Sequence, residues 1–335
     1  MENRLLVIKQ KGKFGYINEE GTVVIEPEFS EAEDFVNGLA VVAVEGKFGI
    51  IDENKNFVIE PKYHYIGEEV EGFRIFREDG KKGFLDNEGK VLVQAKYRDV
   101  KDFSEDLALV QLNYNWGYID KSGNEVIEPV YLDAYDFSEG KALVQIGGKL
   151  GYINKSGEVV IEPILDYAYS FSEGYAAAAF GNKYGYIDEN GQFLIKPKFS
   201  VAKDFTEGLA AVEARGKAGY IDKNCDMVIE PQFTSCDPFY NGYAVIEEDE
   251  KYGYIDKTGK VIIEPKYEDV DIISEGMLAV CLEDQWGYID LEGNMVIAPQ
   301  FDEAYDFVNG IAKVQRGTKI GYIKKDGSFL WELRK

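Results

Sequence analysis

Histidine is almost missing from this chain: His64 is the only one. That excludes metal sites built on several histidines and leaves histidine-dependent catalysis a single position. Beside Tyr63 and Tyr65, a lone His reads as a structural or surface residue before it reads as a catalyst. Cysteine is scarce as well, and Cys225, Cys236 and Cys281 form an odd set without paired spacing. No disulfide framework is expected from them. Long apolar runs are absent, so no segment reaches the ~20 residues of a membrane helix. The start carries only the short run Leu5-Leu6-Val7-Ile8, too brief for the core of an export signal. A cytoplasmic, reducing setting is the expectation. Positive charge is the other shortage, with 37 Lys and Arg against 61 Asp and Glu and a net charge of -24. Such a field keeps a protein soluble, repels nucleic-acid phosphates and anionic membranes, and attracts cationic partners.

Glycine and aromatic residues are abundant, and they recur. Gly15, Gly49, Gly83, Gly117, Gly151, Gly185, Gly219, Gly253, Gly287 and Gly321 are spaced 34 residues apart without an insertion or deletion. A constant period of that size marks a repeat architecture whose units bury apolar faces on one another. No linker interrupts it, so residues 1–335 read as a single repeat domain.

The fourth copy serves as a template. Leu107–Gln111, Trp116–Asp120 and Glu125–Pro129 are three strand candidates of ordinary length. Between the second and third, Asp120-Lys121-Ser122-Gly123 is a type I turn closed by a left-handed residue, giving an antiparallel hairpin. Glycine closes this turn in every copy except at Lys55 and Cys225. Alternation puts Trp116 and Tyr118 on one face and Gly117 and Ile119 on the other. The rows of Ile119 and of its third-strand counterpart Ile127 are the expected core. The glycine row implies a close approach by a neighbouring strand or unit. Pro129 and its equivalents, lacking an N–H, are expected to stop the third strand. The aromatics of the Tyr131 and Phe137 rows are expected to pack one unit on the next. The stretch between them allows at most a single helical turn.

The chain begins on a first-strand sequence at Leu5 and ends on a third-strand sequence at Phe329-Leu330-Trp331, so no unit is split between the ends. The expected fold is all-β, an open solenoid-like array of ten three-stranded antiparallel units. A closed β-propeller is the alternative. Lys324, Lys325, Arg334 and Lys335 are expected to form a polar cap.

Aromatic-Gly-Tyr-Ile-Asp-Lys-x-Gly, then Val-Ile-x-Pro-x-aromatic, then Phe-Ser-Glu-Gly-Leu-Ala resembles the WG-repeat, or KWG, family of bacterial proteins. The signature Trp survives at Trp116 and Trp286. The resemblance implies an all-β binding array with no shared enzymatic activity, and it transfers no catalytic residues.

Chemistry is otherwise thin. The Asp-x-x-Gly turns lack the successive carboxylates of a calcium loop, and no glycine loop sits between strand and helix to hold a phosphate. No metal and no cofactor is expected. Adjacent carboxylates such as Asp52 and Glu53, or Glu68, Glu69 and Glu71, leave a glycosidase-like hydrolase as the weakest reading. The template breaks most densely between Tyr63 and Lys82. There Glu69 replaces the packing Phe, Arg74 the strand Ala, and Lys82 the Trp. Two readings stay open, drift in a tolerant repeat or a binding patch made of His64, Arg74, Phe76 and Arg77. The expected function is a non-enzymatic scaffold that binds a protein through an extended acidic surface. The alternative is carbohydrate or cell-wall binding through exposed aromatic rows, with Trp116 and Trp286 as the natural stacking residues.

Overall fold

The computed structural model describes residues 4–333. Every regular element among them is a β-strand, arranged as ten small antiparallel sheets whose strands follow one another in chain order. No helix among the described residues is long and apolar enough to cross a membrane. The sheets group into two compact units. One comprises Met1–Gly80, Phe84–Val91 and Lys266–Lys335, the other Lys81–Gly83 and Leu92–Pro265.

In the second unit, the sheet of the template copy holds Asp99–Ser104, Leu107–Leu112, Asn115–Asp120 and Glu125–Tyr131. The last three are the expected strands. The first, here called the leading strand, is an addition to the expected three in eight of the ten sheets, the sheets of residues 6–29 and 141–165 keeping three, and it replaces the helical turn allowed for this segment. Val100 and Phe103 face the core and pair with Val110 and Ala108 of the next strand. Apolar residues that find partners on an adjacent ladder are held extended, where a short helix would leave them unpaired.

The hairpin turn is as expected. Gly123 N–H donates to Asp120 O at 2.9 Å, and the Asp120 carboxylate accepts from the N–H of Ser122 and of Asn124, both at 2.9 Å. Gly123 has φ of 82°, and the two exceptions, Lys55 and Cys225, adopt the same left-handed backbone at 66° and 68°.

Proline behaves differently from the expectation. Pro129 does not end the third strand but lies inside Glu125–Tyr131, as Pro197 lies inside Phe193–Phe199. Trp116 pairs with Tyr131 and Tyr118 with Ile127, so four residues of the third strand span two of the second. The extra length arches over the glycine. A Cβ on Gly117 would stand 2.4 Å from Ile127 O and 2.6 Å from Pro129 N. On Gly185 it would stand 2.1 Å from Ile195 O. The glycine and proline rows are therefore two halves of one bulge, and the proline's missing N–H is lost where the ladder is already broken.

A second register shift, between Tyr118 and Ile119, corrects the assignment of faces. Ile127 lies opposite Tyr118, whereas Ile119 pairs with Glu125. Ile119 and Ile127 thus point to opposite sides, and both are buried along with Tyr118. A sheet within a unit has a core on both faces where it is sandwiched between neighbours. Leu107, Leu109, Tyr118 and Ile127 pack on Ala142, Val144 and Ile153 of the following sheet. The Tyr118 and Phe137 rings meet at 4.9 Å between centroids, and Tyr118 O–H donates to Tyr135 O at 2.7 Å. The next interface repeats this with Tyr152 and Phe171 at 5.0 Å and a bond to Tyr169 O of 2.6 Å. The Ser-Glu-Gly turns add a stitch. Ser138 O–H donates to Phe171 O at 2.7 Å, and Gly174 N–H donates to the Glu139 carboxylate at 2.9 Å.

In the first unit, the opening sheet packs on the final one. Leu6, Ile8 and Ile17 share one buried cluster with Ile311, Ile320, Tyr322 and Trp331. Tyr322 O–H donates to Val7 O at 2.8 Å, and Gly21 faces Leu330 O where a Cβ would stand at 2.9 Å. An open array would leave those faces apart, so that expectation is overturned. The fold class is the alternative, a β-propeller of ten sheets. Whole units at both ends do not argue against closure, because sheets that stack face to face need share no strand. The expected polar cap is not one either. Lys325 pairs with Glu275 at 3.1 Å just as Lys155 pairs with Glu105 at 3.3 Å, so it belongs to the repeated stitch. Arg334 and Lys335 lie outside the described residues.

Candidate functional site

The residues singled out between Tyr63 and Lys82 do not form one surface. Strand Phe73–Glu78 alternates, so Arg74 and Phe76 are buried while Arg77 is exposed. Phe76 is core, its ring 4.6 Å from that of Tyr63. His64 and Arg77 lie together at the sheet margin, where His64 N–H donates to Arg77 O at 3.0 Å. The exposed His64 ring meets Lys47 Nζ through Nε2 at 2.9 Å.

Arg74 is the unusual member, only 3% exposed. A regular interface presents Tyr118, Phe137 and Ala142. The equivalent positions between the second and third sheets hold Ile50, Glu69 and Arg74. The changes are coupled. Losing the tyrosine ring and the phenylalanine ring makes room for a guanidinium in place of a methyl group. Arg74 Nη1 donates to Gly67 O at 3.2 Å, the carbonyl that corresponds to Tyr135 O, so the arginine replaces the missing tyrosine hydroxyl. The Glu69 carboxylate takes the N–H of Gly72 and the amide of Asn37, both at 2.7 Å. These bonds, with Arg74 nearby, hold Glu69 below the usual carboxylate range.

What remains between the sheets is a cavity of about 300 Å³, with Glu33, Asp34, Glu68, Glu69, Arg74 and Lys313 on its wall and Val41 beneath. Burial pulls the Arg74 guanidinium below its ordinary value, and Glu69, Glu33 and Glu68 oppose that. Burial, then Glu68, pushes the Glu33 carboxyl up. Arg74 Nε has no hydrogen-bond partner. Sequence reading found Arg74 but missed Ile50, which lies outside the window of obvious departures, and Glu33 and Lys313, which come from other sheets.

Trp116 and Trp286 are half-buried. Trp116 leans on the cluster of Leu107, Leu109 and Tyr118. Trp286 borders an open cavity of about 230 Å³ with Asp271, Glu303 and Tyr305. A further surface was missed altogether. Val130, Leu132, Ile164 and Tyr167 are 58%, 73%, 56% and 59% exposed, with Val130, Ile164 and Tyr167 on three successive sheets of the second unit. The position of Val130 and Ile164 is Glu28, Lys62, Lys96, Lys198, Gln232, Lys266 and Gln300 in other copies. Reading that column down the repeats would have exposed the anomaly.

The WG containing repeat matches nine times, at residues 14–48, 48–81, 83–116, 116–149, 151–184, 184–217, 219–252, 252–286 and 286–319. The chain belongs to the WG-repeat family. No curated protein matches it by sequence. Among solved structures, a crystal structure of the eukaryotic initiation factor is similar over 100% of this chain and 98% of its own, with a TM-score of 0.57 and 11% identity. That likeness concerns the fold alone. Hsv2p of Kluyveromyces lactis aligns with 65% of this chain and 88% of its own, at a TM-score of 0.38 and 10% identity. Within the WG repeats, the constant polar residues are taken up by the turns and stitches described above, and individuality lies in the Arg74 cavity and the Leu132 patch.

Proposed function

We propose that this WG-repeat protein is a non-enzymatic, cytoplasmic binding scaffold whose partner is a protein segment rich in apolar residues and flanked by Lys or Arg. The observation that carries the reading is the exposed set of Val130, Leu132, Ile164 and Tyr167, the first three at positions that most other copies fill with polar or charged residues and the last in a column that also holds Tyr65 and Val201. Exposed large apolar side chains concentrated in one part of a surface are characteristic of interaction sites. The net charge of -24 favours a basic flank. The engagement of the repeated Ser, Glu, Asp and Tyr groups in the fold supports a binding rather than a catalytic role. Selection from a displayed random-peptide library should enrich apolar sequences bordered by basic residues. The double substitution Leu132→Asp with Ile164→Asp should abolish their binding and leave Tm unchanged. Enriched peptides that bind the double variant equally well would reject the patch.

The second reading is carbohydrate binding, favoured by the pairing of Trp286 with Tyr305, Glu303 and Asp271 around one cavity. An aromatic face with carboxylate acceptors suits a sugar ring and its hydroxyls. Glycan-array binding that disappears in Trp286→Ala, with no peptide enrichment, would put this reading first.

A further inference from the structure

We propose that the cavity at Arg74 is a binding site for a small zwitterion carrying an ammonium and a carboxylate, the chemistry of a free α-amino acid. The site is separate from the Leu132 patch, so neither proposal depends on the other.

The argument rests on which polar groups in the cavity are satisfied. Glu69 is engaged by Gly72 and Asn37. Asp34 and Lys313 face each other at 4.0 Å. Arg74 uses Nη1 on Gly67 O and leaves Nε–H without an acceptor. A buried donor left unpaired is costly, so a guanidinium kept 3% exposed calls for an acceptor in the cavity. No hydrogen bond from the described residues reaches the carboxylates of Glu33 or Glu68, which line the same cavity, and burial first, then Glu68, disfavours ionisation of Glu33. Two acceptor groups and one charged donor, each short of a partner, make a bipolar lining.

Each simpler ligand fails one half of that lining. An anion would answer Arg74 and meet Glu33 and Glu68 with like charge. A diamine would answer the carboxylates and leave Arg74 Nε unpaired. A zwitterion answers both without changing the net charge of the cavity, its carboxylate on the guanidinium, where charge-assisted pairing is strong, and its ammonium between Glu33 and Glu68. A volume of about 300 Å³ lies at the small end of ligand pockets, which suits a molecule of amino-acid size.

The test is calorimetric titration of the full chain with each of the common amino acids, with 1,4-diaminobutane and with acetate. One or a few amino acids should bind saturably, and the diamine and acetate should bind at least tenfold more weakly. Glu68→Gln alters an exposed carboxylate and should weaken amino-acid binding about tenfold without lowering Tm. The combined replacement Ile50→Tyr, Glu69→Phe and Arg74→Ala rebuilds the regular interface, so it should fold and bind nothing. Saturation by the diamine or by acetate in preference, amino-acid binding that survives the combined replacement, or heats of dilution alone from every compound would each overturn the proposal, the last meaning a cavity that holds only water.

Discussion

The interface around Tyr118 and the interface around Arg74 join sheets in the same register, and they satisfy the same backbone carbonyl in different ways. At the first, a tyrosine crosses between sheets, stacks on Phe137 and donates to Tyr135 O. At the second, an arginine from the following sheet donates to Gly67 O from within its own sheet. The ring pair fills space and leaves nothing over. The guanidinium fills less and leaves a cavity lined by charge. The contrast teaches that a repeat array can exchange one interface for a site while its neighbours hold the backbone in place, provided the exchanged residues change together.

The sharpest way to break this contrast is to install half of it. Phe137→Glu would put a carboxylate opposite Tyr118 without an arginine equivalent to Arg74. The loss of the ring and the uncompensated buried charge should together cost about 3–5 kcal/mol, measured by denaturant unfolding. A variant within about 1 kcal/mol of wild type would show that the residues at this interface are not coupled.

The bulge is common to both interfaces, so damage to it should not distinguish them. Gly49 and Gly117 would each bring a Cβ to 2.4 Å from the facing carbonyl, Ile59 O and Ile127 O. Gly49→Val, Gly117→Val and Gly185→Val should all lose about 1–3 kcal/mol in the same unfolding assay. A large disparity between the first two would mean that the Arg74 interface also relaxes the backbone.

Tyr118→Phe probes only the hydroxyl that Arg74 replaces elsewhere. It keeps the ring contact and strands Tyr135 O, so the loss should be about 1 kcal/mol, read as a small drop in Tm.

The mildest effect concerns pH. Asp204, half-buried in the column that holds Glu68 in the third sheet, has its carboxyl pushed up by burial. A raised folded-state value means that ionisation works against folding at neutral pH, and that this cost disappears as pH falls through the raised value. Asp204→Asn should therefore melt slightly higher than wild type at pH 7, and the two should converge below the ordinary aspartate range.

Much of the repeated frame was legible in single columns of the sequence. Gly123 in its turn, Gly117 under a close neighbour and Phe137 at the unit boundary each follow from one residue type recurring at one place. What could not be read depended on two columns at once. Pro129 lies inside a strand only because Gly117 lets the chain arch over it, and a second shift of register between Tyr118 and Ile119 turns Ile127 to the face of Tyr118. Arg74 looked like a surface charge because its column was read without Ile50, 24 residues earlier in the sequence, whose smaller side chain leaves the room it occupies. Closure was hidden for a related reason. Contacts such as Tyr322 to Val7 connect positions that no local pattern relates.

The arched third strand has one more consequence. It is the outer edge of every sheet, and an uninterrupted edge invites a second chain to add itself and so to polymerise. The arch breaks the row of free donors and acceptors near its middle, and proline removes one donor outright. The break at each of these edges works against the addition of a second copy there. The edge Val91–Tyr97 carries Ala95 at the place of the proline, and the last copy has Leu333 there, which makes these the edges least guarded against self-association.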